Sequence, residues 1–411
     1  MTEKQKNAVV LTGGGARAAY QVGALQGLAQ IRRQVCPDAT AEPFGIIVGT
    51  SAGAVNASAL ACHADDFGRG VELLADVWAN FSADQVYRTD SVRVIQSGAR
   101  WLSALSVGWL IAQWSVARPR SLLNNDPLIE LIDGTLKLSR IEEMLTDGPL
   151  QAIAVTGSNY STGQHTTFYQ SRSAIEPWTR SQRCAVRTPI RCTHLLASAA
   201  IPFVFPAVPI EANGRRDYYG DGSMREVTPT SPAIHLGAER ILVIGSARLS
   251  EPDGGAPIAP HYPNLAQIAG HALSSIFLDA LAADIERIER INRLLEAVPP
   301  TRHAAFGVRP IEVLALTPSQ RVDRIASEHI GALPATIRAL LRGIGVTRGR
   351  DRMRGAALAS YLLFEAEFTQ RLMELGRADT LARRAEIERF FGWSAVAGES
   401  SEKRPMAMSH R

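Results

Sequence analysis

The sequence predicts an α/β fold, a three-layer α/β/α sandwich around a largely parallel central sheet, with a C-terminal helical extension. Three observations predict it. Short apolar, β-branched runs alternate with helical stretches as far as Leu316. The first run passes through a glycine loop directly into a helix, and beyond Pro263 apolar residues recur at helical spacing.

Asn7 to Thr12 reads as the first strand, Gly13 to Gly15 as a tight loop and Ala16 to Ile31 as the first helix. Phe44 to Val48 has the length and branching of a buried strand, and Ala52 to Cys62 reads as the start of a small-residue helix. Gln151 to Val155 leads into a hairpin-like Ser158 to Tyr169, and Arg240 to Gly245 and Ile311 to Leu316 supply further strands. Such unbroken apolar runs belong to a sheet covered on both faces. From Trp101 to Ala117 run 17 uncharged residues that include Trp101, Trp109 and Trp114. They fall just short of a spanning helix and are diluted by Ser103, Ser106, Gly108, Gln113 and Ser115. Two readings stay open for them, the buried helix of an inserted cap and an acyl-chain groove or membrane-facing lid.

Leu265, Ile268, Ala272, Ile276, Leu281, Ile285, Ile288, Ile291 and Leu295 write a long helix from Pro263 to Val298, at the spacing of core packing. A second helical block, about His329 to Phe391, carries Arg338, Arg342, Arg348, Arg350, Arg352 and Arg354. That basic run reads as a solvated face or as a headgroup-binding patch. Residues after Trp393 have the composition of a disordered tail. The expected organisation is an α/β domain over 5–325, with its motifs in 7–245, then a helical extension over 326–393 and a tail over 394–411.

Hydrophobic residues make up 46% of the 411 and charged residues 20%, enough apolar content for a real core. Lys plus Arg number 44 and Asp plus Glu 40, a small excess that permits anionic surfaces as partners and does not call for nucleic acid. Cys36, Cys62, Cys184 and Cys192 show no paired spacing, so they read as reduced thiols with neither a zinc site nor a disulfide framework. The N-terminus has no apolar signal region, and a cytoplasmic location, open to peripheral membrane contact, is the expectation. No motif calls for a metal or a cofactor, and nothing speaks to oligomeric state.

The chemistry is concentrated in three places. Gly49-Thr50-Ser51-Ala52-Gly53 spells G-x-S-x-G between a strand and a helix, a corner that presents a serine as a nucleophile. Leu11-Thr12-Gly13-Gly14-Gly15-Ala16-Arg17 places three residues without a Cβ ahead of a helix, so the amides of Gly13, Gly14 and Gly15 can approach an anion, with the amide of Ala52 as a further donor. Gly13, Gly15 and Ala18 also satisfy a dinucleotide fingerprint, with Asp38 at about the distance of a ribose ligand, although in a loop after Cys36-Pro37. Adding Ser51 one βα unit later favours an acyl-transfer site over a nucleotide site. Asp221, between Gly220 and Gly222, offers a base on a tight turn; an ordinary carboxylate is a weak base and needs strong oxyanion stabilisation beside it.

G-G-G-x-R, G-x-S-x-G and D-G in this order resemble the patatin-like phospholipase family. Ala197-Ser198-Ala199-Ala200-Ile201-Pro202 resembles the family's segment ahead of the aspartate, Ser121-Leu122-Leu123-Asn124-Asn125-Asp126-Pro127-Leu128 a second stretch, and Trp78 sits in the expected helix. The resemblance covers about residues 7–245. It implies a catalytic Ser51–Asp221 dyad, an oxyanion hole from Gly13, Gly14 and Gly15, and hydrolysis of lipid acyl esters without a histidine. Ser223 and Val227 depart from the family's usual Gly or Ala and Asn.

His235, His261, His271, His303 and His329 follow Asp221 in the chain order of a Ser–Asp–His triad, and none sits in a telling motif. Arg17 reads equally as a phosphate ligand or a solvated residue. The leading expectation is a serine acyl hydrolase acting on phospholipid or related lipid esters. The alternatives are a non-catalytic lipid- or membrane-binding protein and a dinucleotide-binding enzyme.

Overall fold

The computed structural model describes residues 6–88, 121–212, 214–249, 262–276, 280–303, 307–347 and 355–393. Among the described residues ten strands form one sheet: β1 Asn7–Leu11, β2 Ile46–Gly49, β3 Ala152–Asn159, β4 His165–Ser171, β5 Thr179–Arg180, β6 Arg183–Arg187, β7 Val208–Ala212, β8 Arg215–Asp221, β9 Arg240–Ile244 and β10 Glu312–Leu316. They run in the order β10-β9-β1-β2-β3-β4-β6-β5, while β8 pairs with β3 and β7 with β8. From β10 to β3 every pairing is parallel; β3 and β4 form the expected hairpin.

Fourteen helices lie among the described residues. They are α1 Ala19–Val35, α2 Ala52–Cys62, α3 Phe67–Ala79, α4 Asp126–Thr135, α5 Arg140–Thr146, α6 Cys192–Ser198, α7 Ser231–His235, α8 Leu265–Ser274, α9 Ala280–Glu296, α10 Val322–His329, α11 Ala335–Gly343, α12 Ala356–Leu362, α13 Ala366–Ala382 and α14 Arg384–Phe391. The two-residue period of the strands sorts the core into two faces. Val9, Leu11, Ile47, Ile153, Leu242 and Leu314 point to the core that holds α1, α2, α3 and the C-terminal helices. Ala8, Val10, Ile46, Val48, Ile241 and Val243 point the other way, onto α7 and α9. Burial on both faces is why these strands read as continuous apolar runs.

The C-terminal helices share the larger core. Ile337, Phe368, Leu372, Ile387 and Phe390 join the cluster built on β1 and α1. Helix α13 crosses α1 at backbone contact: a Cβ on Gly376 would lie 2.2 Å from the Tyr20 carbonyl oxygen.

Several boundaries differ from expectation. The first helix begins with a 3-10 turn, Gly15–Ala18, and α1 continues to Val35, ending ahead of Pro37. The long helix from Pro263 is described as α8 and α9, with 277–279 outside the described residues, and its first half does not follow core packing. Leu265 and Ile268 are 69% and 50% exposed. The small residues decide the orientation: Ala266 and Gly270 are the buried ones, and Gly270 sits against the Leu358 backbone of α12, which turns the larger side chains outward. In the basic run, Arg338 donates to the Gly331 and Leu333 carbonyls and Arg342 is exposed. Arg348, Arg350, Arg352 and Arg354, the stretch from Trp101 to Ala117 and the tail 394–411 lie outside the described residues. Among those described, no helix is long and apolar enough to cross a membrane, and all four cysteines are unbridged.

Gly376→Ala is expected to force α1 and α13 apart and to lower stability by about 1–3 kcal/mol. Thermal melting checks it: an unchanged midpoint would contradict the close crossing.

Candidate active site

Ser51 follows β2 and caps α2, with backbone angles of φ 57° and ψ −131°. A β-carbon-bearing residue held at positive φ stores about 1–3 kcal/mol of strain, which the surroundings must sustain. Two features hold the corner. Gly53 lets the helix start tuck under β1, since a Cβ there would lie 2.3 Å from the Leu11 carbonyl oxygen. The Ser51 amide donates to Ser198 Oγ at 2.8 Å, tying the corner to the end of α6.

Asp221 ends β8, where its neighbour register brings it opposite Gly157 of β3. The Ser51 hydroxyl donates to Asp221 Oδ2 at 2.6 Å, and the Ser223 amide donates to Oδ1 at 2.9 Å. Both residues are buried. Burial pushes the Asp221 carboxyl from 3.8 up to about 6, with the bonds from Ser51 and Ser223 pulling the other way. A carboxylate poised there is a better base than an ordinary one.

The glycine loop sits at the same place. Gly15 and Ala52 line, with Ser51, one narrow cavity whose other walls are almost wholly apolar, including Val55, Leu73, Val77, Trp78, Phe81, Leu131, Ile132, Phe205 and Phe364. The amides of Gly13 and Gly14 donate to no acceptor among the described residues. The loop itself is fixed from behind: Ser246 Oγ donates to the Gly13 carbonyl at 2.6 Å, and Gln21 donates to the Thr12 carbonyl at 2.7 Å. Gln21 in turn accepts from Asn56, and Asn56 accepts from the Trp78 indole. The helix α2 adds its N-terminal dipole beside Ser51, which favours developing negative charge there.

A family model described as patatin-like phospholipase matches residues 9–234, more than half of the chain. The chain belongs to the patatin-like phospholipase family. Among solved structures it is similar to VipD from Legionella pneumophila, at 13% identity over 90% of this chain and 67% of that one, with a TM-score of 0.32. It is similar to human GIVD cytosolic phospholipase A2, at 13% identity over 95% of this chain and 60% of that one, with a TM-score of 0.47. A third is the type III effector ExoU of Pseudomonas aeruginosa, at 15% identity over 98% of this chain and 92% of that one, with a TM-score of 0.27. None of the curated proteins matches this sequence.

Arg17 of this patatin-like chain is neither a solvated residue nor turned to an open anion site. It is buried, its Nε donates to Ser360 Oγ at 2.7 Å, an Nη2 donates to the Ala357 carbonyl at 3.2 Å, and the guanidinium stacks 4.1 Å from the Tyr361 ring centre. All three partners belong to α12, so the C-terminal helices anchor the residue that follows the glycine loop. Asp38 lies on an exposed turn, well before β2 begins. His235 stacks on Trp178, His303 contacts the Leu295 and Val298 carbonyls, His329 faces Glu367, and His271 is exposed. No described histidine bonds to Ser51 or Asp221; His261 lies outside the described residues.

The buried Asp221 makes stability depend on pH. Its native carboxyl stays protonated to about pH 6, while the unfolded chain releases the proton near 4, so stability falls as pH rises through that interval. Above it the full penalty, on the order of 3 kcal/mol, is present. Asp221→Asn removes the charge and is expected to melt above the parent at pH 8, with the difference vanishing at pH 4. An equal difference at both pH values would contradict a buried, desolvated carboxylate.

Proposed function

We propose that this chain, a lipid acyl hydrolase by its family, cleaves long-chain carboxylic esters of phospholipids or related lipids through an acyl-enzyme on Ser51, with Asp221 as the base. The observation that carries this reading is the 2.6 Å bond from the Ser51 hydroxyl to Asp221 at the end of an apolar cavity. Ser51 Oγ attacks the ester carbonyl carbon as its proton passes to Asp221 Oδ2. The carbonyl oxygen takes the negative charge, facing the amides of Gly13, Gly14, Gly15 and Ala52. When the tetrahedral intermediate collapses, the bond to the alcohol oxygen breaks and Asp221 returns the proton to that oxygen. Water then repeats the sequence on the acyl-enzyme, giving up its proton to Asp221, releasing the fatty acid and restoring Ser51.

The cavity supports the substrate class. It is narrow, and its walls suit an alkyl chain rather than a polar group. Phe203, 71% exposed between the cavity-lining Ile201 and Phe205, supports contact with a lipid surface at the mouth. The unbridged thiols accord with a reducing compartment. For a dinucleotide, the loop would need an acidic partner at the end of β2, and Asp38 is not there.

A fluorophosphonate is expected to label Ser51 in the folded protein, and Ser51→Ala and Asp221→Asn are each expected to lower kcat by a thousand-fold or more, in the range seen for such pairs. Folded protein that hydrolyses no ester and takes no label would overturn the reading. Leu131→Trp shortens the cavity by roughly two methylenes, each worth about 0.8 kcal/mol of burial. Its kcat/KM should fall about tenfold or more for a palmitoyl ester of p-nitrophenol and stay near the parent value for the butyryl ester. Equal losses on both would place the acyl chain elsewhere.

A further inference from the structure

The reaction just described leaves one buried carboxyl beside the dyad without a task. Glu226 follows the 3-10 turn Gly222–Arg225 that Asp221 caps, and it is buried. Its Oε1 accepts a 2.6 Å bond from Thr50 Oγ1, and that oxygen lies 2.8 Å from Thr156 Oγ1. Thr50 is the residue before Ser51. Thr156 precedes Gly157, the β3 partner of Asp221, and packs so closely on the turn that a Cβ on Gly222 would lie 2.3 Å from its hydroxyl. Three side chains thus join the end of β2, the middle of β3 and the turn behind Asp221.

The charges that face Glu226 are of its own sign. Asp221 lies on its own turn, and Asp284 approaches from α9. Asp284 accepts from the Thr230 amide and hydroxyl and is itself faced by Arg287 and by Arg183 of β6. Arg225 is engaged with the Gln182 side chain at the surface. Burial first, and then the repulsion of Asp221 and Asp284, push the Glu226 carboxyl up to about 7 against the pull of the Thr50 bond.

We propose that Glu226 is a positioning residue of the dyad, which ties the segments carrying Ser51 and Asp221 together through Thr50 and Thr156 and whose negative charge strengthens Asp221 as a base. The proposal rests on the reading of Ser51 and Asp221 as nucleophile and base. A neighbouring negative charge stabilises the protonated Asp221 that forms as Ser51 attacks, so it lowers the barrier to proton transfer. As pH rises, Asp221 ionises first and creates the base, and Glu226 ionises next and makes that base stronger. The profile of kcat/KM for a short, dissolved p-nitrophenyl ester therefore climbs through two ionisations, near 6 and near 7.

Glu226→Gln keeps an oxygen that accepts from Thr50 and removes the charge. Its profile is expected to show one ionisation, near the lower of the parent's two, and a plateau several-fold lower with KM unchanged. A purely structural strap would leave the profile as it was, so a folded E226Q protein that retains both ionisations overturns the proposal. Thr50→Val keeps the charge and breaks the bond that favours it; the upper ionisation is expected to persist and to move to higher pH. Should E226Q not fold, T50V decides, and an upper ionisation that stays in place there overturns the proposal as well. An inactive Asp221→Asn together with an unchanged E226Q profile rejects the role of Glu226 alone. Full activity in Asp221→Asn rejects the dyad, and this proposal with it.

Discussion

A single short hydrogen bond, 2.6 Å from the Ser51 hydroxyl to the Asp221 carboxylate, joins two points of the chain that are 170 residues apart in sequence. The sheet makes that meeting possible. Parallel strands β1, β2 and β3 end at the same edge, so the glycine loop after β1 and the corner after β2 open side by side. β8 then enters antiparallel against the far end of β3 and delivers Asp221 to that edge. A carboxylate and a hydroxyl this close, both buried, interact far more strongly than they would in water. The same burial makes the Asp221 carboxylate unfavourable to the fold and raises its affinity for a proton.

That arrangement needs support, and the support comes from outside the motifs. Ser198 receives the Ser51 amide, Gln21 and Ser246 grip the carbonyls of the glycine loop, and Arg17 reaches from that loop into α12. The family model ends at residue 234, yet α12 and α13 hold the loop and its helix, and Phe364 forms part of the cavity wall. The Tyr87 hydroxyl donates to the Leu362 carbonyl and ties the cavity wall to the same helix. We read the C-terminal helices as part of the support that keeps the glycine loop and the cavity in register. An arginine suits this: its planar fork takes a hydroxyl, a carbonyl and an aromatic face at once.

Local features of the fold were legible because they depend on short-range rules. Strands β1, β2, β9 and β10 appear as apolar runs because both faces of the sheet are covered, and the G-x-S-x-G corner marks itself by its glycines. The helix from Pro263 misled because apolar spacing does not say which face a helix buries; in α8, Ala266 and Gly270 permit an approach that Leu265 and Ile268 do not. Ser198 stood within a recognisable segment, but nothing in its neighbours tells that it reaches the Ser51 amide. Arg17 was ambiguous for the same reason, since its partners Ala357, Ser360 and Tyr361 follow it by more than 300 residues. Glu226 and Thr50 carry no signal as a pair: a glutamate after a turn and a threonine before a serine become one feature only when β2 and the turn after β8 are brought together.

The central claim is that Ser51 carries the acyl group between two half-reactions, and a direct look for that group tests it best. A long-chain ester mixed rapidly with enzyme, quenched in acid within the first turnover and digested, should yield the peptide containing Ser51 heavier by one acyl group, in near-stoichiometric amount for the parent and undetectable for Asp221→Asn. Rapid ester cleavage by the parent with no acylated Ser51 peptide at any quench time, or acylation of another residue, would contradict the account.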